Sequence, residues 1–181
     1  MDYEQSNTKG GPIVVTSADD LSELNARLVK LTDGGSSAKA ALPTSVTDLA
    51  LFAVVDGGGA DEESNIMPLS PHHQMRVKAK GTGNAGDVLA LADPLAAADK
   101  GKVRALPGTA GIYFSPGVAE EDFVDGQFVL IRPLPRLVGV KSADTLSALT
   151  FTAGGATGTE VGALRDAILA IARAQGLVAA S

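Results

Sequence analysis

The chain of 181 residues carries 15 basic and 21 acidic side chains for a net charge of −6, and 45% of its residues are hydrophobic. That apolar share suffices for one domain with a buried core. The acidic balance and the lack of any Lys/Arg cluster exclude phosphate neutralisation, and with it nucleic acid as a partner. With no cysteine, disulfides and thiolate metal sites are unavailable, so stability must come from packing or assembly.

Five Phe, two Tyr and no Trp against 21 Gly describe small residues and tight turns, not the aromatic walls of a large ligand pocket. The start, MDYEQSNTKGG, is polar and acidic where a secretory signal is basic and then apolar. No run approaches the length of a membrane span. The expectation is a protein with no membrane partner, made in the cytoplasm and either kept there or released without a signal peptide.

Residues 1–12 read as a polar arm. A short apolar run, Ile13 to Thr16, precedes SADDLSELNAR. There Ser17 is placed as an N-cap, Asp19, Asp20 and Glu23 fall in the first turns, and Leu21, Leu24 and Leu28 share one helical face. The spacing predicts a short helix over 17–27, followed by a strand from Leu28 to Leu31 that ends at the turn TDGG. Alanine-rich SSAKAALPT leads through Pro43 to Leu49–Val55, a continuous apolar run that predicts a buried core strand.

From Gln74 to Val140 short β-type runs alternate with turns, the pattern of a sandwich or small barrel built of hairpins. The sequence GTGNAG, with Gly81, Gly83 and Gly86, matches a dinucleotide fingerprint by letters, but the strand-like DVLALADP that follows offers no helix to hold a pyrophosphate. A glycine-rich β-turn is the reading. Pro107-Gly108, Ser115-Pro116-Gly117 and Asp125-Gly126 are assigned to turns on the same grounds. Pro133 and Pro135 mark an edge or a crossover between sheets.

Three clusters invite chemistry. Asp56, Asp61, Glu62 and Glu63 could suggest calcium, yet their order does not follow an EF-hand loop. His72 and His73, placed on an extended segment, point to opposite faces and cannot share an ion. Glu120, Glu121, Asp122 and Asp125 crowd one turn, whereas glycoside hydrolysis needs two carboxyls across a cleft. All three read as solvated surface, so no catalytic, cofactor or metal residue is assigned.

Residues 142–158 have the Gly/Ala/Thr composition of a linker. Thr159 then caps EVGALRDAILAIARAQG, a helical pattern that stops at Gly176. Val161, Leu164, Ile168, Ile171 and Gln175 fall on the a/d seam of a coiled coil, and Ile at both kinds of position favours three or four strands over two. Two heptads are too short to associate alone, so the same stripe could instead dock on its own β-domain. The expected organisation is an arm and short helix over 1–27, a β-domain over 28–141, a linker over 142–158 and an oligomerisation helix over 159–181.

The stretches RLVKLTDGG, ALPTSVTDLALFAVVDGG, KAKGTGNAGDVLALADP and KVRALPGTAGIYFSPGVAEEDFVDGQFVLIRPLPRLV resemble bacteriophage head decoration and head-fibre proteins. Among these is a capsid-decoration family once labelled a RecA/RadA recombinase. Gly83, Gly86-Asp87, Leu89 and Leu91, then Lys100 to Leu106, then Gly117 to Ile131 carry the resemblance, and LRDAILAIARAQGLVAAS is similar to the short helices that close many trimeric virion proteins. No Walker A stretch supports the recombinase label.

The resemblance implies a non-enzymatic virion protein on the outer capsid surface, a homotrimer whose partner is the major capsid protein of a phage head. A tail-associated fibre or spike segment and a small ligand-binding β-barrel are the rival readings. The first asks for a longer fibrous repeat or an aromatic sugar cleft, the second for convergent polar groups in a pocket.

Overall fold

The computed structural model describes residues 11–141 and residue 166. Two compact units are defined, Met1–Val140 and Lys141–Ser181. The described part of the first consists of ten strands: β1 (Ile13–Ser17), β2 (Leu28–Asp33), β3 (Ala38–Ala41), β4 (Phe52–Asp56), β5 (Glu63–Pro68), β6 (Met75–Lys78), β7 (Leu89–Leu91), β8 (Val103–Ala105), β9 (Gly111–Ala119) and β10 (Phe128–Val140). A short 3-10 turn, Ala97–Asp99, lies between β7 and β8.

Strands β1 to β5 close a barrel in the order β1-β3-β2-β4-β5. Its ladders are antiparallel apart from β1 and β3, which run parallel and pair only at Thr16–Lys39 and Ser17–Ala40. A three-stranded sheet, β6-β10-β9, and the β7-β8 hairpin complete the unit. The expectation of a small barrel therefore holds for the mainly β class.

Two cores explain the apolar runs. Leu21, Val29, Ala40, Val54 and Ile66 form one cluster, while Leu28, Ala53, Leu69, Val77, Leu89, Phe114, Val129 and Ile131 belong to the other. Successive residues of a strand point to opposite faces, so Leu28 and Val29 in β2, like Ala53 and Val54 in β4, serve both clusters at once. The barrel wall formed by β2 and β4 is apolar on both sides for that reason. Gly101 locks the β7–β8 loop to the same wall: its carbonyl accepts from Leu28 N–H at 2.7 Å, and a Cβ there would lie 2.5 Å from the Leu28 carbonyl oxygen.

Several expectations are corrected. No helix forms over 17–27. Ser17 ends β1 instead, and Glu23 and Ala26 take positive φ values of 61° and 62°. Of the backbone donors a helix would use internally, Leu21 N–H goes to Gly58 C=O at 2.9 Å and Ala26 N–H to Val54 C=O at 2.7 Å, while Leu24 and Arg27 N–H close short turns onto Leu21 C=O at 3.0 Å and Leu24 C=O at 3.1 Å. Asp20 caps its own turn through Ser22 N–H and Oγ. Leu21 is fully buried, but as a plug of the barrel and not as one side of a helix.

The run Leu49–Val55 is not buried throughout: Ala50, Ala53 and Val54 are inside, while Leu49, Leu51 and Val55 are exposed. Ser115-Pro116-Gly117 is no turn, since it lies buried within β9. His72 and His73 sit in a turn, with His73 N–H bonded to Ser70 C=O at 3.1 Å, and not on an extended segment. The linker and the closing helical pattern lie outside the described residues, except that Asp166 is helical and exposed.

Candidate functional site

The acidic clusters act as structural ties. Glu121 accepts from Arg76 Nη1 at 2.6 Å and from Leu130 N–H at 2.9 Å, so it joins the β9–β10 turn to β6 and β10. The Arg76 bond and then the Leu130 N–H lower its pKa. Glu120 pairs with Arg132 at 2.6 Å and also accepts from Gln74 Nε2. Asp122 accepts from Ala85 N–H and Asp125 from Gly81 N–H, each at 2.8 Å, which fastens the GTGNAG turn to the acidic one.

The loop after β4 uses its acids in the same way. Asp61 pairs with Lys39 at 2.6 Å, and that ion pair lowers the Asp61 pKa; Glu62 accepts from Gly59 N–H at 2.8 Å. Among the described residues no three His, Asp or Glu side chains converge as a metal site. Asp99 binds Lys102 at 2.7 Å and Lys80 at 3.3 Å; the Lys102 hydrogen bond is the largest influence lowering its pKa.

Surface hollows offer little for chemistry. A cavity of about 280 Å³ lies between Met67, Pro68, Ser70, His73, Gln74 and Met75. Another, of about 390 Å³, opens where β1 and β3 diverge, and Ile13, Val15, Leu31, Ala38 and Glu63 are among its walls. Neither gathers the nucleophile, base and electrophilic donors that a catalytic site requires.

What the fold does present is a ribbon. Over residues 111–115 and 136–140, β9 and β10 pair with each other beyond the reach of β6, which covers β10 only from Phe128 to Ile131. The register shifts between Pro133 and Arg136, where β10 takes one residue more than β9. Pro133 and Pro135 thus stand at a bulge, where the missing N–H donors cost no ladder bond.

Phe114 N–H donates to Val46 C=O at 2.7 Å, away from β10. The Phe114–Leu137 pair therefore exchanges no backbone bonds, and Leu137 turns its N–H and C=O to the other edge of β10. Among the described residues no strand pairs with that edge. Ile112, Leu134 and Leu137 are 58%, 46% and 55% exposed along this ribbon.

The stripe Val161, Leu164, Ile168, Ile171 and Gln175, the assembly residues expected from sequence, lies outside the described residues. Sequence reasoning does not find the ribbon, because the two prolines separate FVLI from LVGV.

These features define a mainly β protein with a closed five-stranded barrel and an ion-paired surface. No protein-family model and no curated protein matches the chain. Among solved structures it is similar to the N base of the head fibre protein gp8.5 of bacteriophage phi29. The TM-score is 0.52 at 17% identity, over 68% of this chain and 93% of that one. Over about two thirds of its length the chain thus shares the fold of that head-fibre base.

Proposed function

We propose that the chain is a structural, non-enzymatic virion protein that binds the outside of a phage head as a homotrimer, in the manner of a decoration protein or head fibre. The observation that carries this reading is the likeness of fold to a head-fibre base across 93% of that base. It is supported by carboxylates that are committed to turns and ion pairs. The heptad stripe Val161, Leu164, Ile168, Ile171 and Gln175 supplies the trimer seam.

The partner is the major capsid protein, met by three weak contacts that a trimer joins through effective concentration. The polar arm over residues 1–12 is the first candidate for such a contact, because an extended segment can add to a strand edge of the shell. The protein is made in the host cytoplasm and resides on the outer capsid surface.

Light scattering of the full chain and of a version ending at Ala153 tests the assembly. A trimer that becomes a monomer on truncation is expected; a monomeric full chain overturns it. Co-sedimentation with capsids, with and without residues 1–12, tests the docking. Loss of binding on deletion is expected, and undiminished binding removes the arm from the mechanism.

A further inference from the structure

Among the described residues no strand pairs with the β6-side edge of β10 beyond Ile131. Edge strands invite pairing and are normally shortened, charged or covered. The other strand edges of this sheet follow that rule: β9 is met by Val46 at Phe114 and by Val88 at Val118, and β10 is met by β6 as far as Ile131. Beyond Pro133 the edge of β10 carries Leu134 and Leu137, both about half exposed, with Ile112 beside them across the ribbon. Phe114, directly opposite Leu137, is fully buried, so the ribbon leaves the core at this point and turns one side outward.

We propose that this edge is where copies of the chain meet: the segment Leu134–Val140 of one protomer, with Ile112, packs against the β-domain of the next. The inference rests on the trimer reading above and specifies where its β-domains touch. The occupant follows from connectivity. β10 ends at Val140, and the heptad stripe that begins at Val161 follows it in the same chain. Copies joined at the stripe bring their β10 edges together in one assembly, so that the second contact becomes intramolecular. In that setting even a small apolar contact is populated. No carboxylate lies between Leu134 and Val140 to oppose it.

The absence of native cysteine makes the test clean. Leu137→Cys, Leu134→Cys and Ile112→Cys, each in the full chain, are treated with a short bis-maleimide and run on a denaturing gel. Leu95→Cys serves as control, since Leu95 is 89% exposed in the β7–β8 loop. Each variant is first checked for native mass and thermal midpoint. Cross-linked species from at least one ribbon position, several-fold above the Leu95→Cys level, are expected.

A trimeric mass with no ribbon cross-link above that control overturns the inference and leaves the trimer standing, the edge then being free for a capsid segment. A monomeric mass overturns both. Equal cross-linking at Leu95 and the ribbon positions means random collision and likewise overturns the contact.

Discussion

Gly117 and Arg132 approach so closely that a Cβ on Gly117 would lie 2.1 Å from the Arg132 carbonyl oxygen. This is backbone against backbone, next to the bulge at Pro133–Arg136, and no side-chain movement can relieve it. Gly117 also holds a φ of 156°. Gly117→Ala is therefore expected to destabilise the fold by about 3 kcal/mol or more. Chemical denaturation of the two proteins measures it, and a loss below about 0.5 kcal/mol would show that the β9–β10 pairing is looser than described.

A second test concerns two buried hydroxyls. Ser64 Oγ lies 2.5 Å from Ser17 Oγ and accepts from Gly58 N–H at 2.7 Å, and both serines are fully buried. Ser64→Ala leaves a hydroxyl and an N–H without their partner, at a cost of about 2–3 kcal/mol. Adding Ser17→Ala removes one orphan, so the double variant should cost less than the sum of the single ones. Additivity in the denaturation cycle would count against the bond.

Acid should expose one carboxylate in particular. Partial burial pushes the Asp48 pKa up, but the Lys30 ammonium, the Thr44 and Ser45 N–H groups and the Thr44 hydroxyl outweigh it and hold the pKa down at about 2. A depressed folded-state pKa contributes stability that is complete above the unfolded value near 3.8 and is lost as pH falls through about 2. Solvent screening of the partly exposed Asp48–Lys30 pair brings the contribution to about 1 kcal/mol. Wild type and Asp48→Asn compared at about pH 5 should differ by that order, and the gap should close by about pH 2. A constant gap would assign the effect to packing.

Gly83 faces Phe123 in the same close manner, a Cβ there falling 2.4 Å from the ring Cζ. Their backbones exchange bonds of 3.1 and 2.9 Å. Gly83→Ala should cost about 1–3 kcal/mol by overpacking. Phe123→Leu, costly alone because the ring is 2% exposed, should cost less in the Gly83→Ala background. Thermal midpoints of the four proteins decide it.

The sequence is most readable where turns make it so. GTGNAG, Asp125-Gly126 and the TDGG after β2 each forecast a reversal that the fold contains, because positive φ at Gly81, Gly86, Gly126 and Gly35 is a local demand. It misleads where local spacing and tertiary need diverge. Leu21, Leu24 and Leu28 recur at helical intervals, yet the Val54 and Gly58 carbonyls take the Ala26 and Leu21 N–H groups and short turns take those of Leu24 and Arg27.

Ala38–Ala41 has little strand preference, and only pairing with both β2 and β1 makes β3 of it. Pro116 reads as punctuation because the bulge opposite it lies in a different part of the chain, at Pro133–Arg136. The candidate assembly edge is hidden for the same reason: exposure of Leu134 and Leu137 depends on where β6 stops, which no local pattern records.

The wall shared by the two cores has one more effect. Because Leu28 and Val29 are fully buried on opposite sides of β2, opening either core strips apolar cover from the other, and neither part has a stable existence alone. Within residues 11–141 a protease is therefore expected to cut only once both cores have opened together.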